Sequence, residues 1–277
     1  MTVTLFILLL LLGLITGFYS GLIGTGGNVI LIPALDLLFV YYGIDGNESV
    51  KFIIAHSLFI TVFLGLAVSY RQYRIGNFHM REVLTIGIPG MISAYLVSEF
   101  IKTSNWYDKS YFELIFLILL ILLAIRLLFF KRKENEKQKT SNNKNLYYIF
   151  LGTLTGGVTS LSGLGGGVTL IPFLTDIMKK SIKKASSISI GVIMLLAISV
   201  SSSYLIVKDN HQMPEKLPFQ TGYISMYLVV PILIGIFIAS SYGVRMAQKI
   251  SPLKLRIIFG IVISTLCIKM TVSLLMR

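Results

Sequence analysis

The chain has 277 residues, of which 55% are hydrophobic and 13% charged, more apolar surface than a soluble domain can bury. Lys+Arg number 25 against 12 Asp+Glu, a net charge of +13, yet the cations sit in short connecting stretches rather than along an amphipathic face. That pattern argues against nucleic acid and for topology signals beside anionic lipid.

Ten apolar segments can be drawn, at about 2–20, 28–42, 51–71, 81–101, 110–130, 146–162, 167–178, 184–207, 219–245 and 253–275. Runs near 20 residues suit helices crossing a hydrocarbon core of about 30 Å, and the alternation of an outer-membrane barrel is missing. The expected fold is an all-α integral membrane protein. The first run, MTVTLFILLLLLGLITG, lacks a basic leader and an Ala-x-Ala cleavage site, so it reads as a retained first transmembrane segment. Cys267 is the one cysteine, which excludes an intramolecular disulfide and a cysteine-based metal cluster.

The one long polar run, KRKENEKQKTSNNKN at 131–145, divides the segments into two sets of five, 1–130 and 146–277. Each set contains the same stretch. GFYSGLIGTGGNVILIP at 17–33 is matched by GGVTSLSGLGGGVTLIP at 156–172, with Gly24, Gly26, Gly27 and Pro33 identical to Gly163, Gly165, Gly166 and Pro172. Ala55-His56-Ser57 parallels Ala185-Ser186-Ser187 in the third segments, and Pro89 parallels Pro231 in the fourth.

Loop charge sets the orientation. With 131–145 cytoplasmic, Arg71, Arg74 and Arg81 fall inside, as do Lys179, Lys180, Lys183 and Lys184, and then Arg245, Lys249 and Lys254. The loops at 43–50, 103–109 and 208–218 fall outside. Five segments per half make the second half enter from the opposite side. The two halves are therefore expected to form inverted-topology repeats with both termini outside, the arrangement in which transporters place a site at the repeat interface. Segments 2 and 7 are short for full crossings and read as half-helices, broken by glycine near the midplane.

A continuous helix through each glycine stretch would carry glycines costing about 1 kcal/mol apiece relative to alanine, so the helix should break there. Backbone freed at membrane depth must be satisfied by protein or a wet cavity. In each copy the glycine turn runs into a new helix start, where N–H groups lack intrahelical partners and the dipole is positive. Two such ends meeting near the midplane would hold an anion with little need for lysine or arginine. The candidate substrate-binding residues are Gly24, Thr25, Gly26, Gly27, Asn28 and Ser57, with Gly163, Gly165, Gly166, Gly167 and Ser187. Further hydroxyls stand nearby at Ser20, Thr159, Ser160, Ser162, Thr169, Ser186 and Ser189, where bonding back to their own helix is the competing role. The outer glycines, Gly17, Gly21, Gly152 and Gly156, have the small-xxx-small spacing of close helix packing.

Ionisable residues inside apolar runs are functional candidates by default. Asp36 and His56 are the candidates for carrying a coupling proton; the alternatives are an ion pair at the outer interface for Asp36 and a packed, hydrogen-bonded ring for His56. Trp106, Tyr107 and Tyr111 fit an outer interfacial belt. No HExxH, no Gly-x-Ser-x-Gly elbow and no Walker lysine occurs, so neither an enzyme, a metal centre nor a cofactor is expected. The expected partners are a small anion and the bilayer.

A duplicated Gly-x-x-x-Gly-x-x-Gly-x-Gly-Gly stretch ending in Ile-Pro, a lysine-led third helix with Ala-x-Ser and a proline in the fourth resemble the TauE/SafE, or sulfite exporter, family of membrane transporters. The resemblance covers essentially the whole chain. It implies transport of a small anion such as sulfite, sulfoacetate or another organosulfonate across the bacterial cytoplasmic membrane, coupled to an ion gradient, with 24–28 and 163–167 as substrate-binding elements. Two positions depart from the pattern: His56 replaces a small or hydroxyl residue, and Asn28 replaces the glycine found at Gly167. A passive anion channel and a non-transporting membrane assembly protein are the alternative functions.

Overall fold

A computed structural model describes residues 3–104, 106–129, 144–206 and 217–251, with scattered positions between 257 and 271. It is all-α apart from one small ribbon. The helices are α1 (Val3–Ile23), α2 (Asn28–Tyr41), α3 (Asn47–Arg74), α4 (Met80–Thr103), α5 (Lys109–Phe129), α6 (Lys144–Ser162), α7 (Gly167–Pro172), α8 (Ile182–Leu205) and α9 (Met226–Lys249). Five of them, α1, α3, α4, α8 and α9, are long and apolar enough to cross a membrane. The chain is a multi-pass membrane protein. Much of the tenth expected segment and most of the 131–145 linker lie outside the described residues.

α2 and α7 are short, as expected. α7 runs into a π-helical turn at Phe173–Ile177, directly after Pro172. Proline has no N–H to continue the ladder, and Thr175 Oγ1 donates to the Ile171 carbonyl at 2.8 Å. One element differs from expectation. The ninth segment does not start as helix at 219: Gln220–Thr221 (β1) pairs antiparallel with Ile224–Ser225 (β2) before α9 begins. Gly222, at φ +57°, supplies the turn that an apolar count cannot see.

α3 and α8 form the centre, and each is largely buried. Two outer pairs flank them. α1 lies along α9, and α4 along α6. Glycine makes both contacts close. A Cβ on Gly13 would lie 2.1 Å from the Ile232 carbonyl oxygen, and one on Gly152 would lie 2.1 Å from that of Ile86. Likewise Gly17 abuts Ile236, as Gly156 abuts Gly90. These glycine contacts thus recur with partners exchanged: α1, which leads into the first glycine turn, packs on α9, and α6, which leads into the second, packs on α4. The outer glycines of the motif therefore do pack helices, through close backbone approach.

The basic helix ends converge on one face. Lys183 Nζ donates to the Gln248 carbonyl at 3.2 Å, and Lys180 and Lys184 each approach Glu82 at 3.4 Å. At the other face Lys109 meets Asp36 and Asp45. Trp106 and Tyr111 are exposed there, whereas Tyr107 is turned inward and its hydroxyl donates to the Leu161 carbonyl.

Candidate functional site

Each glycine stretch is a helix, a turn of left-handed glycines and a second helix. α1 closes with the Gly24 N–H on the Ser20 carbonyl at 2.7 Å, and α6 with the Gly163 N–H on that of Thr159 at 2.8 Å. Gly24, Gly26 and Gly27 have φ of +79°, +89° and +73°; Gly163, Gly165 and Gly166 have +66°, +75° and +75°. Only glycine adopts this conformation routinely, so the break is written into the sequence at matching positions.

The chain then re-enters helix at Asn28 and at Gly167. The Gly27 carbonyl accepts from the Ile30 and Leu31 N–H groups, and the Gly166 carbonyl from those of Thr169 and Leu170. No acceptor among the described residues meets the N–H groups of Gly26, Gly27, Asn28 and Val29, or of Gly165, Gly166, Gly167 and Val168, although all of these residues are buried. An unsatisfied buried donor costs about 1–3 kcal/mol. Successive N–H groups in turns of this kind form a concavity suited to an anion.

The two turns touch. A Cβ on Gly167 would sit 2.7 Å from both Cα and O of Thr25, so the second helix start lies against the first turn's backbone. Asn28 Nδ2 donates to the Gly163 carbonyl at 2.7 Å, across the repeats. Gly26 and Gly165 both pack on Ile193 of α8.

α3 and α8 brace the turns with hydroxyls. Thr61 Oγ1 lies 2.7 Å from Asn28 Oδ1 and 2.7 Å from the Ser57 carbonyl, and Ser57 Oγ donates to the Ile54 carbonyl while facing Gly163. Ser186 Oγ faces Gly24. The copies differ in their remaining hydroxyls. In the second, Thr159 donates to the Thr155 carbonyl at 2.7 Å and Thr169 to the Gly166 carbonyl at 2.8 Å. In the first, the fully buried Thr16 and Ser20 hydroxyls have no partner among the described residues, and Ile30 stands where the second copy has Thr169.

Of the expected residues, Gly24, Thr25, Gly26, Gly27, Asn28 and Ser57 come together with Gly163, Gly165, Gly166 and Gly167. Ser187 does not join them. It is buried at the α3–α4 connection and donates to the Asn77 carbonyl. Its neighbour Ser186 is the α8 hydroxyl at the turn, because one residue rotates a helix by about 100°. Aligning Ala-x-Ser between the halves pointed to the wrong serine.

The two ionisable candidates are held by other partners. Asp36 pairs with Lys109 at 3.2 Å, and Lys109 also reaches Asp45 at 2.8 Å. His56 is fully buried; its Nδ1 lies 2.8 Å from the Phe52 carbonyl, and its Nε2 accepts from the Ser225 N–H at 2.9 Å. That pair fixes the neutral tautomer, with Nδ1–H donating and no lone pair left for a travelling proton. Thr61 and Ile193 carried no motif, although Thr61 sits one helical turn from Ser57 and shares its face. Among the described residues, no group of three His, Cys, Asp or Glu could hold a metal ion.

Comparison with known proteins matches residues 9–270 to the family described as "Sulfite exporter TauE/SafE". A "Probable membrane transporter protein" of Methanocaldococcus jannaschii is 32% identical over 259 residues, covering 94% of this chain and 92% of that one. Another of that title, from Haemophilus influenzae, is 28% identical over 268 residues, with 96% and 98% covered. A third, from Bacillus subtilis, is 24% identical over 273 residues, with 93% and 94% covered. No solved structure matches the chain.

Proposed function

The chain belongs to the TauE/SafE sulfite exporter family of membrane transporters, and from that premise we propose that it moves a small sulfur oxyanion, sulfite or a sulfonate, across the bacterial cytoplasmic membrane. The observation that carries the substrate class is the set of buried N–H groups at the two glycine turns, which lack acceptors among the described residues and lie where the repeats meet. Backbone donors at two helix starts suit a compact, hard anion and leave a larger or cationic solute without complementary groups.

Alternating access fits the packing. Both turns are buried, which favours a carrier with an occluded site over an open channel. The contacts that recur with exchanged partners support two inverted repeats, 1–130 and 146–277, joined by a cytoplasmic linker at 131–145. With the basic ends of α3, α8 and α9 on the cytoplasmic face, both termini lie outside. Rocking one repeat against the other would expose the turns to each side in succession. The ion that couples transport is assigned to neither Asp36 nor His56, since each is already held by a structural partner.

The test is uptake of labelled sulfite, sulfate and a simple sulfonate into proteoliposomes, with and without an imposed proton gradient, for the wild type and Gly166→Leu. Saturable flux of one anion, lost in the variant, is the expected result; linear, unsaturable flux would mean a channel, and no flux of any anion would remove the substrate reading. Labelling of the N-terminus by a membrane-impermeant reagent from the cytoplasmic side would overturn the orientation.

A further inference from the structure

A serine or threonine inside a helix has a carbonyl of its own helix within reach, three or four residues back, and buried ones ordinarily use it. Thr61 Oγ1 lies 2.7 Å from the Ser57 carbonyl, Thr159 donates to that of Thr155 at 2.7 Å and Ser201 to that of Ala197 at 2.6 Å. Thr16, Ser20 and Ser189 do not follow the rule. Their hydroxyls are fully buried and have no partner among the described residues. Such a group lowers stability, because its hydration is lost and nothing replaces it. A side chain without the hydroxyl would remove that cost, so the three call for a partner that comes and goes.

All three stand at the first glycine turn. Thr16 and Ser20 lie one helical turn apart on one face of α1. The Thr16 methyl lies 2.6 Å from the place a Gly27 Cβ would occupy, and the Ser20 carbonyl accepts the Gly24 N–H at 2.7 Å. Ser189 belongs to the opposite wall, α8. Three residues before it Ser186 Oγ faces Gly24, and four residues after it Ile193 Cγ2 lies 3.2 Å from the place of a Gly26 Cβ. Those spacings share one helix face, so Ser189 sits between two residues that touch the first turn. The second turn has hydroxyls in comparable places, but the protein holds them. The repeat aligns Thr16 and Ser20 with Thr155 and Thr159. Thr155 accepts from Thr169 at 3.2 Å, Thr159 donates to the Thr155 carbonyl, and Ser57, which faces Gly163, donates to the Ile54 carbonyl at 3.2 Å. Ile30 stands where Thr169 does, which leaves Thr16 without the partner that Thr155 has.

From this asymmetry we infer that the transported anion, on the site reading proposed above, rests on the side of the first turn, with the hydroxyls of Thr16, Ser20 and Ser189 as its side-chain ligands. The second turn contributes backbone and keeps the first in shape, through Gly167 against Thr25 and the Asn28 bond to the Gly163 carbonyl. The three hydroxyls come from α1 of the first half and α8 of the second, so an anion seated among them bridges the repeats where they must part for access. The backbone N–H groups of the turn are fixed donors. A hydroxyl rotates and both donates and accepts, so the three can follow an ionised oxygen or a protonated one. A small oxyanion therefore fits in either protonation state.

A hydroxyl that serves the anion and not the fold has a signature that a structural one cannot give. Ser20→Ala, Ser189→Ala and Thr16→Val, the last keeping a methyl at Gly27, should each raise the KM for sulfite uptake into proteoliposomes by about tenfold or more. The thermal midpoint of the same variants in detergent without anion should stay at the wild-type value or rise, since an unpartnered polar group has been removed. The further rise in midpoint that a fixed concentration of sulfite gives the wild type should shrink in each variant. Ser201→Ala is the control, because it removes a buried α8 hydroxyl that does have a carbonyl: its midpoint should not rise, and its KM should stay within about twofold of wild type. KM values within about twofold of wild type in all three variants would overturn the inference. So would variants that lose stability without anion or fail to fold, because the hydroxyls would then be structural. A wild type that neither takes up sulfite nor is stabilised by it would overturn the anion-site reading itself, and that failure shows in the unaltered protein before any variant is compared.

Discussion

Adding one methyl group to Gly167 should separate the two glycine turns. Its backbone conformation suits any residue, since unlike Gly166 it is not among the positive-φ glycines. The obstacle is steric: a Cβ there would lie 2.7 Å from Thr25 Cα and 2.7 Å from Thr25 O, both backbone. Ordinary contact begins near 3.4 Å, so the first turn must retreat by about 0.7 Å. Rigid backbone on both sides places the cost in the overpacking range, about 1–3 kcal/mol. Gly157→Ala is the matched control. It adds the same atom to a neighbouring helix where the closest atoms are 3.9 and 4.0 Å away, and alanine's better helix propensity stabilises by up to about 1 kcal/mol. Thermal unfolding of both variants in detergent, read beside anion uptake, should show Gly167→Ala with a lowered midpoint and impaired uptake while Gly157→Ala matches or exceeds the wild type. Indistinguishable behaviour of the two variants would refute the claim that the helix start at Gly167 rests on the first turn.

The remaining predictions concern side chains outside the turns. His56→Leu should lower the thermal midpoint by the equivalent of about 1–3 kcal/mol, because it strands the buried Ser225 N–H; the pH profile of uptake should not move, and a shifted profile would restore His56 as a proton carrier. Lys109→Met removes the cation shared by Asp36 and Asp45 and, because both carboxylates reach solvent, should destabilise by only about 1 kcal/mol. Adding Asp36→Asn to Lys109→Met should recover part of that loss, and a double-mutant cycle with no coupling would discard the pair. His79, in the α3–α4 connection, has its pKa lowered from the usual 6.5 by burial first and by the Lys184 charge second. Its unfolded form therefore binds a proton at a higher pH than its folded form, so stability should begin to fall as pH drops through 6.5 and continue falling down to the folded value. In His79→Gln that part of the pH dependence should disappear from the unfolding midpoints.

Comparing these residues with the sequence shows where local chemistry suffices. The helix breaks were readable because glycine clusters inside apolar runs have a direct conformational meaning: a left-handed turn needs no knowledge of its surroundings. Segment lengths and the short second and seventh helices followed in the same way, from hydropathy against a fixed membrane thickness. The hairpin before α9 escaped, since Tyr223, Ile224 and Ser225 continue an apolar run and only the chain's path reveals the turn at Gly222.

The sequence by itself determined that the chain spans a membrane, that it repeats, and that its backbone breaks twice at equivalent glycines, because each of these is a property of composition or of single residues' conformational limits. Tertiary structure alone decided which hydroxyl faces the turns, Ser186 rather than Ser187; that Thr61 orients Asn28; and that Asp36 and His56 are held by Lys109 and Ser225. Those outcomes depend on how helices far apart in the chain are rotated and set against one another. A rotation of one residue, about 100°, carries a side chain from the site to a neighbouring helix.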